Sequence, residues 1–297
     1  MNNINSTQIV AFPPLHWVGG KREILGPLNE LKPFTFNSFY EPMVGAGAMY
    51  LNLQVKNSHI SDMNEELIIM YQVIKENPEG LIEHLKTHLN EEEYYCQLRD
   101  LDRDIETFES LSKLERASRI MFMSKAGFNG LYRVNSKGFN NVAYGTKKKI
   151  SFDAENIRAC SKVLQNTTIK HQDFTAILPN VKAGDFVYLD PPYIPLEGKK
   201  SFTQYTKEGF KHSDQVRLKK FCDELTSRGV YFMQSNSYTD TTLSLYGDYH
   251  IEEVLVGRTV NCKADKRGKV KEAIITNYNP RAVNNQDFKI LSNQEVA

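Results

Sequence analysis

The fold of this chain is decided by the stretch FNSFYEPMVGAG, residues Phe36–Gly47. Its aromatic-rich first half, Phe36–Glu41, predicts a β-strand, and its glycines precede a helical pattern at Ala48–Val55. Glycines between a strand and a helix allow a sharp turn and a close approach of the backbone to a ligand. Since α/β proteins bind ligands at this edge of the sheet, the stretch predicts a ligand-binding α/β core. A plain tight turn is the alternative for a G-x-G pair on its own.

The same stretch argues against a conventional dehydrogenase. The dinucleotide fingerprint has a third small residue three positions after its second glycine, where it packs the helix on the strand. Tyr50 occupies that place. Asp62, at the end of the next predicted strand, is placed to accept hydrogen bonds from a ribose diol. An acid there can also cap the helix that starts at Asn64.

Strand-like and helix-like segments alternate along most of the chain, which is typical of an α/β fold. Further strands are predicted at His59–Asp62, Thr168–Lys170, Asp185–Leu189, Val230–Gln234, Ile251–Val256 and Ala273–Tyr278, and helices at Asn64–Lys75 and Ser213–Arg228. The periodicity of Pro78–Ser124 is helical, with four apolar residues on one face: Leu81, Ile82, Leu85 and Leu89. Gly127–Gly145 is irregular or hairpin-like. We expect a discontinuous core of residues 1–63 and 149–280, a mostly helical insertion of residues 64–148, and a polar tail of residues 281–297.

The composition is that of a globular protein: of 297 residues, 40% are hydrophobic and 25% are charged, and the formal net charge is +1. The longest apolar run, around Leu67–Tyr71, is far shorter than the roughly 18–20 residues of a membrane helix. The segment Met1–Asn5 lacks the order of a signal peptide, so we expect a cytoplasmic location and no membrane partner. The four cysteines are dispersed, which argues against a disulfide framework or a metal site.

Acidic and basic residues are segregated beneath the near-zero net charge. Acidic residues outnumber basic ones between Lys75 and Glu109. The range Lys113–Lys149, by contrast, has nine basic residues against the single acid Glu115, and a second basic stretch spans Arg258–Lys271. A charge run alone usually marks a solvated surface. Between Phe128 and Asn141, however, the cations alternate with aromatic and amide side chains. Cations for phosphates and amides for base edges are typical of nucleic-acid recognition.

The sharpest chemical signal is the tetrapeptide DPPY at Asp190–Tyr193, directly after the apolar strand Asp185–Leu189. The two prolines stiffen the backbone and remove two N–H donors. The strand end therefore offers a carboxylate, the unpaired carbonyl of Pro191 and an aromatic ring. An amino group with two protons needs two acceptors, and a flat base needs a ring to stack on. A simple proline turn is the alternative for the tetrapeptide by itself.

Taken in their order along the chain, the motifs resemble those of the Dam-type adenine-specific DNA methyltransferases, including the group that protects GATC sites. The resemblance extends from His16 to Tyr278. Its five elements are WVGGK at Trp17–Lys21, the loop Glu41–Gly47, SDMN at Ser61–Asn64, FNGLYRVN at Phe128–Asn135 and DPPY at Asp190–Tyr193. The resemblance implies a Rossmann-like core that uses S-adenosylmethionine, with a mostly helical target-recognition insertion.

The resemblance also implies a role for each matched residue. Those expected to contact or enclose S-adenosylmethionine are Trp17, Lys21, Glu41, Gly45, Gly47, Asp62 and Asp190. The expected catalytic groups, which would hold a flipped adenine during direct methyl transfer to its amino group, are Asp190, Pro191 and Tyr193. Those expected to contact double-stranded DNA, with the arginine reading a guanine, are Phe128, Asn129, Leu131, Arg133 and Asn135.

One departure from the family pattern concerns the recognition sequence. Members commonly have a proline where Ala143 stands, and that proline also touches a base, so the contact at that base is open. GATC is the expected site. The alternatives are the same chemistry on RNA or on another DNA sequence, and a DNA-binding regulator without catalysis. The resemblance further implies a bacterial or phage-encoded protein. Three roles stay open: protection from a companion restriction endonuclease that it does not bind directly, marking of DNA for repair, and a function in a phage.

Overall fold

The structure, a computed structural model, describes residues 9–17, 19–194, 210–257 and 269–281. Several features considered above lie outside these ranges. They are the N-terminal segment, Val18, Cys262, the basic residues at positions 258–268, and the tail beyond Arg281.

Seven strands within the described ranges form one sheet, in the spatial order β3-β2-β1-β4-β5-β7-β6. They are β1 (Phe39–Glu41), β2 (Ser58–Asp62), β3 (Thr167–His171), β4 (Phe186–Leu189), β5 (Tyr231–Ser237), β6 (His250–Gly257) and β7 (Lys269–Thr276). The first five are parallel, whereas β7 runs antiparallel between β5 and β6. Each predicted strand is confirmed, and so is the α/β, Rossmann-like fold.

The strand order reverses between β1 and β4. From β1 the chain moves outward through β2 to β3, and it then returns to β4 and continues to β5 on the other side. Such a switch point leaves a crevice at the carboxyl ends of the strands, where open α/β sheets bind ligands. The fold therefore places a ligand site beside Glu41 and the residues that follow Leu189.

The sheet is buried on both faces, as β4 shows most clearly. All four of its residues are buried. Phe186 and Tyr188 pack into one hydrophobic cluster, and Val187 and Leu189 into another, because successive side chains of a strand point to opposite faces. This explains why the β4 sequence is continuously apolar instead of alternating.

Ten α-helices lie within the described ranges. They are α1 (Leu25–Leu31), α2 (Ala48–Leu53), α3 (Glu65–Glu76), α4 (Pro78–Leu85), α5 (Glu92–Asp100), α6 (Ile105–Ser110), α7 (Lys113–Ala126), α8 (Ala154–Leu164), α9 (His212–Ser227) and α10 (Asp240–Leu245). Side chains cap several N-termini: Asn64 accepts from Leu67 N at the start of α3, and Ser112 and Glu115 form a capping box on α7. These caps satisfy backbone donors that the helix leaves free.

The sequence predicts that Leu89 shares one helical face with Leu81, Ile82 and Leu85. This prediction is wrong for Leu89. Helix α4 ends at Leu85, and the N–H groups of Lys86 and Thr87 bond to carbonyls three residues back, which tightens the last turn and ends the helix. Leu89 lies beyond this turn and is 52% exposed. Leu81, Ile82 and Leu85 are buried, as predicted.

Helix α3, which follows β2, is the first helix of the predicted insertion and also packs against the core. This helix packs against α7 of the predicted insertion, and also against α8 and β3. Residues 127–145, called the hairpin below, are joined by isolated bridges, Gly127 to Tyr144 and Val134 to Asn140. The irregular, hairpin-like structure predicted there is confirmed. The domain boundary at residue 64 remains a prediction.

Candidate active site

Three carboxylates stand at adjacent strand ends around the switch point. Glu41 is the last residue of β1, Asp62 is the last of β2, and Asp190 follows β4. Burial raises the pKa of Glu41 well above its usual value, and the charges of Asp190 and Asp62 raise it further. The crevice thus has three carboxyl groups at neighbouring strand ends, where they can accept hydrogen bonds from a ligand.

The loop after β1 is shaped by two glycines with left-handed backbone conformation. The φ angle is +47° at Gly45 and +69° at Gly47, a region that favours glycine. A Cβ atom on Gly47 would lie 2.8 Å from the hydroxyl oxygen of Tyr71. That hydroxyl donates to the Gly45 carbonyl at 3.0 Å. The loop thus needs its glycines, and Tyr71 holds it in place.

Asp62 and Glu41 both hold backbone of this region. Asp62 accepts the N–H of Gly45 at 3.0 Å and that of Asn64 at 2.9 Å. Glu41 accepts the N–H of Tyr50 at 2.8 Å, in the first turn of α2. Burial raises the pKa of Asp62, while its backbone hydrogen bonds oppose the rise. A carboxylate has about four lone-pair sites, so Asp62 can still accept from a ligand hydroxyl.

Lys21 connects the N-terminal element to the DPPY segment. Its Nζ lies 2.9 Å from Oδ1 of Asp190 and 4.6 Å from the centroid of the Tyr193 ring, and it donates to the Gly19 carbonyl. The Lys21 side chain is 8% exposed, so solvent screens this ion pair only weakly. Burial raises the pKa of Asp190 to about 6, and the charge of Lys21 opposes that rise.

The backbone after Asp190 is held by side chains of α9 and β5. Gln215 Nε2 donates to the Pro192 carbonyl at 2.8 Å. Asn236 Oδ1 accepts the N–H of Ile194 at 3.0 Å, and the hydroxyl of Ser237 donates to the Ile194 carbonyl at 2.7 Å. These three contacts fix the direction in which the chain leaves the site.

The carbonyl of Pro191 differs from those of Pro192 and Ile194, which accept hydrogen bonds from side chains. No hydrogen bond found in the described part of the chain uses it, and the prolines at positions 191 and 192 supply no N–H. Pro191 is buried, and it directly follows Asp190, which is half-buried. The strand end thus has two hydrogen-bond acceptors on consecutive residues, and their role in catalysis stays a prediction.

Tyr193 is held by a residue that the sequence did not reveal. Its hydroxyl donates to Oε2 of Glu272 on β7 at 2.7 Å, across 79 residues of sequence. Gln215, Asn236 and Ser237 were missed for the same reason. Gln215 lies on α9, whereas Asn236 and Ser237 belong to the buried polar run Gln234–Ser237 of β5. That run is a local signal in the sequence, but only the folded chain shows that these residues contact the DPPY segment.

The hairpin exposes some of the residues that are predicted to contact DNA. Phe128 is 49% exposed, and Asn129 beside it is exposed, with a left-handed φ of +56°. Leu131 and Arg133 are half-buried, on either side of the buried Tyr132. The hairpin thus turns alternate side chains outward, and these side chains are the ones the resemblance assigned to DNA.

Two members of that set are already engaged within the hairpin. Arg133 Nε donates to Oδ1 of Asn141 at 2.7 Å, which fixes one edge of the guanidinium. Asn135 Oδ1 accepts the N–H groups of Lys137 and Phe139 at 2.9 and 3.1 Å. The Asn135 oxygen therefore builds the tip of the hairpin, and only its amide nitrogen is left for another partner.

The hairpin is attached to the candidate active site through Trp17. The Trp17 indole stacks on the Tyr132 ring, with centroids 5.2 Å apart. It also lies beside the glycine loop, because a Cβ on Gly45 would be 3.2 Å from Trp17 Cδ1. Next to Trp17, Nδ1 of His16 is 2.8 Å from the Gly130 carbonyl. The structure thus gathers the expected cofactor and catalytic residues at one crevice and places the expected DNA residues on an adjoining element.

Comparison with known proteins agrees with this geometry. A family model described as D12 class N6 adenine-specific DNA methyltransferase matches residues 17–260. This chain belongs to that family. The matched range starts at Trp17 and includes all five motifs of the resemblance. The resemblance is confirmed, and with it the prediction that the protein is an adenine-specific DNA methyltransferase by family.

Named relatives of this methyltransferase cover nearly its whole length. The Type II methyltransferase M1.LlaDCHI of Lactococcus lactis subsp. cremoris is 44% identical over 283 residues, 94% of this chain and 99% of the relative. The Type II methyltransferase M.MjaIII of Methanocaldococcus jannaschii is 40% identical over 90% of this chain and 99% of its own. The DNA adenine methylase of Escherichia coli K12 is 28% identical over 91% of this chain and 96% of its own.

Two further findings are a phage relative and the character of the helices. Its relatives include a DNA N-6-adenine-methyltransferase of Escherichia phage P1, 29% identical over 87% of this chain and 34% of the phage protein. In the part of this chain that the structure describes, no helix has both the length and the apolar character needed to cross a membrane.

Proposed function

We propose that this chain transfers a methyl group from S-adenosylmethionine to the exocyclic amino group of adenine in double-stranded DNA. The observation that carries the proposal is the pair of acceptors after β4: the half-buried carboxylate of Asp190 and the adjacent carbonyl of Pro191, for which the described residues offer no hydrogen-bond donor. The adenine amino group has two protons and needs two acceptors. The Tyr193 ring beside them offers a surface on which a flat base can stack.

The residues at the switch point fit S-adenosylmethionine by their chemistry. When bound, this cofactor supplies a methyl group on a cationic sulfur. Asp62 would accept from the ribose hydroxyls, the loop Gly45–Gly47 would let the backbone pass close to the cofactor, and Trp17 would lie against it. Glu41 would contribute by holding the start of α2 through the N–H of Tyr50.

Asp190 and Pro191 would activate the adenine amine by accepting its hydrogens. The nitrogen is a weak nucleophile because its lone pair is delocalised into the ring. Two strong acceptors draw electron density onto the nitrogen and orient it for direct attack, which is catalysis by positioning and electrostatics. The methylated nitrogen then has one proton too many. The Asp190 carboxylate, with a pKa of about 6, is placed to accept it.

Access to the adenine requires base flipping. The amino group lies inside the duplex, so the base must leave the stack at a cost of a few kcal/mol. The exposed ring of Phe128 would insert where the base has left, and Asn129 would hold the orphaned partner. The attachment of the hairpin to Trp17 supports this division of labour, because it keeps these side chains beside the crevice.

Arg133, Leu131 and Asn135 would read or position the recognition sequence, for which GATC is proposed. Arg133 suits a guanine, and its contact with Asn141 holds the guanidinium in one orientation before DNA arrives. A different DNA sequence is the second candidate. It is favoured by Ala143, which is exposed in the hairpin where the family has a base-contacting proline.

The biological setting is proposed from the relatives. Two of them are named Type II methyltransferases, which supports a companion restriction endonuclease that recognises the same site without binding this chain. The bacterial and phage relatives support a bacterial or phage origin and the cytoplasmic location predicted above.

The test is methylation of a plasmid with labelled S-adenosylmethionine, followed by digestion with nucleases that methylated adenine in GATC blocks. We expect label in duplex DNA and protection of GATC sites. Asp190→Ala should abolish the label, and Asp248→Ala is the matched control, because the Asp248 side chain is 80% exposed. Single-stranded DNA and duplex RNA are assayed in parallel.

Each outcome separates the candidates. Label without protection at GATC would assign a different recognition sequence. Label in RNA but not in DNA would change the substrate class. Cofactor binding without any transfer, or an unimpaired Asp190→Ala protein, would refute the proposed chemistry.

A further inference from the structure

Glu272 reaches the candidate active site from β7. Because β7 is antiparallel to β5, its first residues lie at the edge of the sheet where β5 ends, and Glu272 pairs there with Ser237. The Ser237 hydroxyl holds the Ile194 carbonyl, and Glu272 accepts the hydroxyl of Tyr193. The two strands therefore hold the same segment. The Ser237 side chain of β5 binds the backbone of that segment, and the Glu272 side chain of β7 binds the side chain of Tyr193.

The Tyr193 ring is held at two points. The Lys21 ammonium lies over it at 4.6 Å from the centroid, and Glu272 takes its hydroxyl at 2.7 Å. Lys21 is also paired with Asp190 at 2.9 Å. The ring that would stack on the base and the carboxylate that would accept the amine thus belong to one connected set of contacts.

The hydrogen bond between Tyr193 and Glu272 is of the strong, charge-assisted kind. Burial raises the pKa of Tyr193 well above its usual value, and the charges of Asp190 and Glu272 raise it further. The hydroxyl therefore keeps its proton and remains a donor. A hydrogen bond between a neutral hydroxyl and a carboxylate is shorter and about twice as strong as one between neutral groups.

Stacking alone does not account for this arrangement. A phenylalanine would offer the same ring face without placing a hydroxyl in a buried site. What the hydroxyl adds is a fixed orientation, because a ring tethered at its far end loses little rotational freedom when the base arrives. Fixing a group before reaction removes that entropy from the activation barrier.

We propose that Glu272 is a positioning residue for methyl transfer, which holds the Tyr193 ring in the orientation that receives the flipped adenine beside Asp190. The inference rests on the proposed function and adds a residue to it. The competing explanation is that Glu272 stabilises only the pairing of β7 with its neighbours.

The experiment compares Glu272→Ala, Glu272→Gln, Tyr193→Phe and the double variant Glu272→Ala/Tyr193→Phe. The single-turnover rate of methyl transfer is measured at saturating cofactor on a duplex that the wild type methylates, together with the cofactor Kd and the Tm of each protein. Glu253→Ala is the matched control. Glu253 lies on the neighbouring strand β6, and its carboxylate pairs with Lys271 at 2.9 Å, away from Tyr193.

Glu272→Ala and Tyr193→Phe should each lower the rate about tenfold, as expected for loss of a hydrogen bond to a charged group. The double variant should be no slower than either single variant, because both remove the same contact. Glu272→Gln should recover most of the rate, since its amide oxygen still accepts from Tyr193. The cofactor Kd should not change. A stabilising role alone would lower Tm without this non-additivity and without rescue by glutamine.

Three results would overturn the inference: an unchanged rate in Glu272→Ala, rate losses that multiply in the double variant, or a Glu272→Gln protein as slow as Glu272→Ala. If the wild type methylates duplex DNA and one of these occurs, only the role of Glu272 fails. If the wild type transfers no methyl group to duplex adenine, the proposed function fails and this role fails with it.

Discussion

The Trp17 indole lies nearly parallel to the Tyr132 ring, with 20° between their planes and 5.2 Å between their centroids. Trp17 borders Gly45 of the glycine loop, whereas Tyr132 stands between Leu131 and Arg133 in the hairpin. This pair of rings, together with the contact of His16 with the Gly130 carbonyl, connects the crevice at the switch point with the element proposed to read DNA.

Removing this stack should loosen the hairpin. Tyr132→Leu keeps an apolar side chain but loses the aromatic pair, so its free energy of unfolding should fall by about 0.5–1.5 kcal/mol more than that of Tyr132→Phe, which keeps the ring. We also expect limited proteolysis to cleave residues 127–145 faster in Tyr132→Leu. Denaturant unfolding and mass spectrometry of the fragments measure both effects. Equal behaviour of the two variants would show that the stack contributes nothing.

The rate of methyl transfer should fall as the pH drops through about 6, because the pKa of Asp190 is raised to about that value by burial. Below it the side chain is protonated and loses its charge and part of its acceptor capacity. Lys21→Met removes the cation that opposes the rise, so the midpoint should move to higher pH. Single-turnover rates at saturating cofactor, between about pH 5 and 8, provide the comparison. Identical midpoints in the two proteins would contradict the assignment.

Gly47→Ala should destabilise the protein by about 1–3 kcal/mol, because alanine at a φ of +69° is strained and its Cβ would meet the Tyr71 hydroxyl at 2.8 Å. Gly26→Ala is the matched control. Apart from its chain neighbours and its own helix, no atom lies within 4 Å of a Cβ there, so we expect stability to change by less than about 1 kcal/mol. Urea unfolding measures both.

The contact with Tyr71 can be separated from the backbone strain. Tyr71→Phe in the Gly47→Ala background removes the hydroxyl, so it should recover part of the loss, measured against Tyr71→Phe alone. Equal losses of stability in Gly47→Ala and Gly26→Ala would contradict the prediction.

Arg133→Ala should weaken DNA binding by about 1–3 kcal/mol at one base pair and relax specificity there. Lys148→Ala, which changes an exposed residue of the hairpin's basic flank, should instead weaken binding to all sequences and reduce the dependence on salt. Competition binding with duplexes that differ at single positions distinguishes the two patterns. A uniform loss for Arg133→Ala would make Arg133 a phosphate contact.

Local sequence was sufficient for the strands and for the residues that follow them. Glu41 and Asp190 follow stretches rich in aromatic or apolar residues, and Asp62 ends the short predicted strand His59–Asp62. In a parallel sheet such strand ends meet at one edge. The glycine loop was equally readable, because positive φ angles at Gly45 and Gly47 require that residue type.

Helix α8 shows a signal that was present but unused. Asp153 caps it by accepting the N–H of Asn156 at 3.0 Å, and its buried residues recur at helical spacing: Ile157, Cys160, Ser161 and Leu164. An N-cap residue followed by this period predicts a helix.

The contacts around Tyr193 could not have been predicted. Glu272 is one acid among several in the strands near the chain's end, and nothing nearby in the sequence distinguishes it from Glu252 or Glu253. Its partner is fixed only by the antiparallel insertion of β7 between β5 and β6. The same holds for the buried Asn236, whose oxygen holds the Ile194 N–H.

Contacts from both halves of the chain converge on the Tyr193 ring: Lys21, far before it in sequence, and Glu272, far after it. Contacts between such distant residues close long loops at an entropic cost, so we expect them to form late in folding. A partly folded protein that has built the first strands can therefore possess the glycine loop while still lacking a complete catalytic centre. Methylating activity should appear only with the last step of folding, so that recovered activity reports a fully assembled sheet.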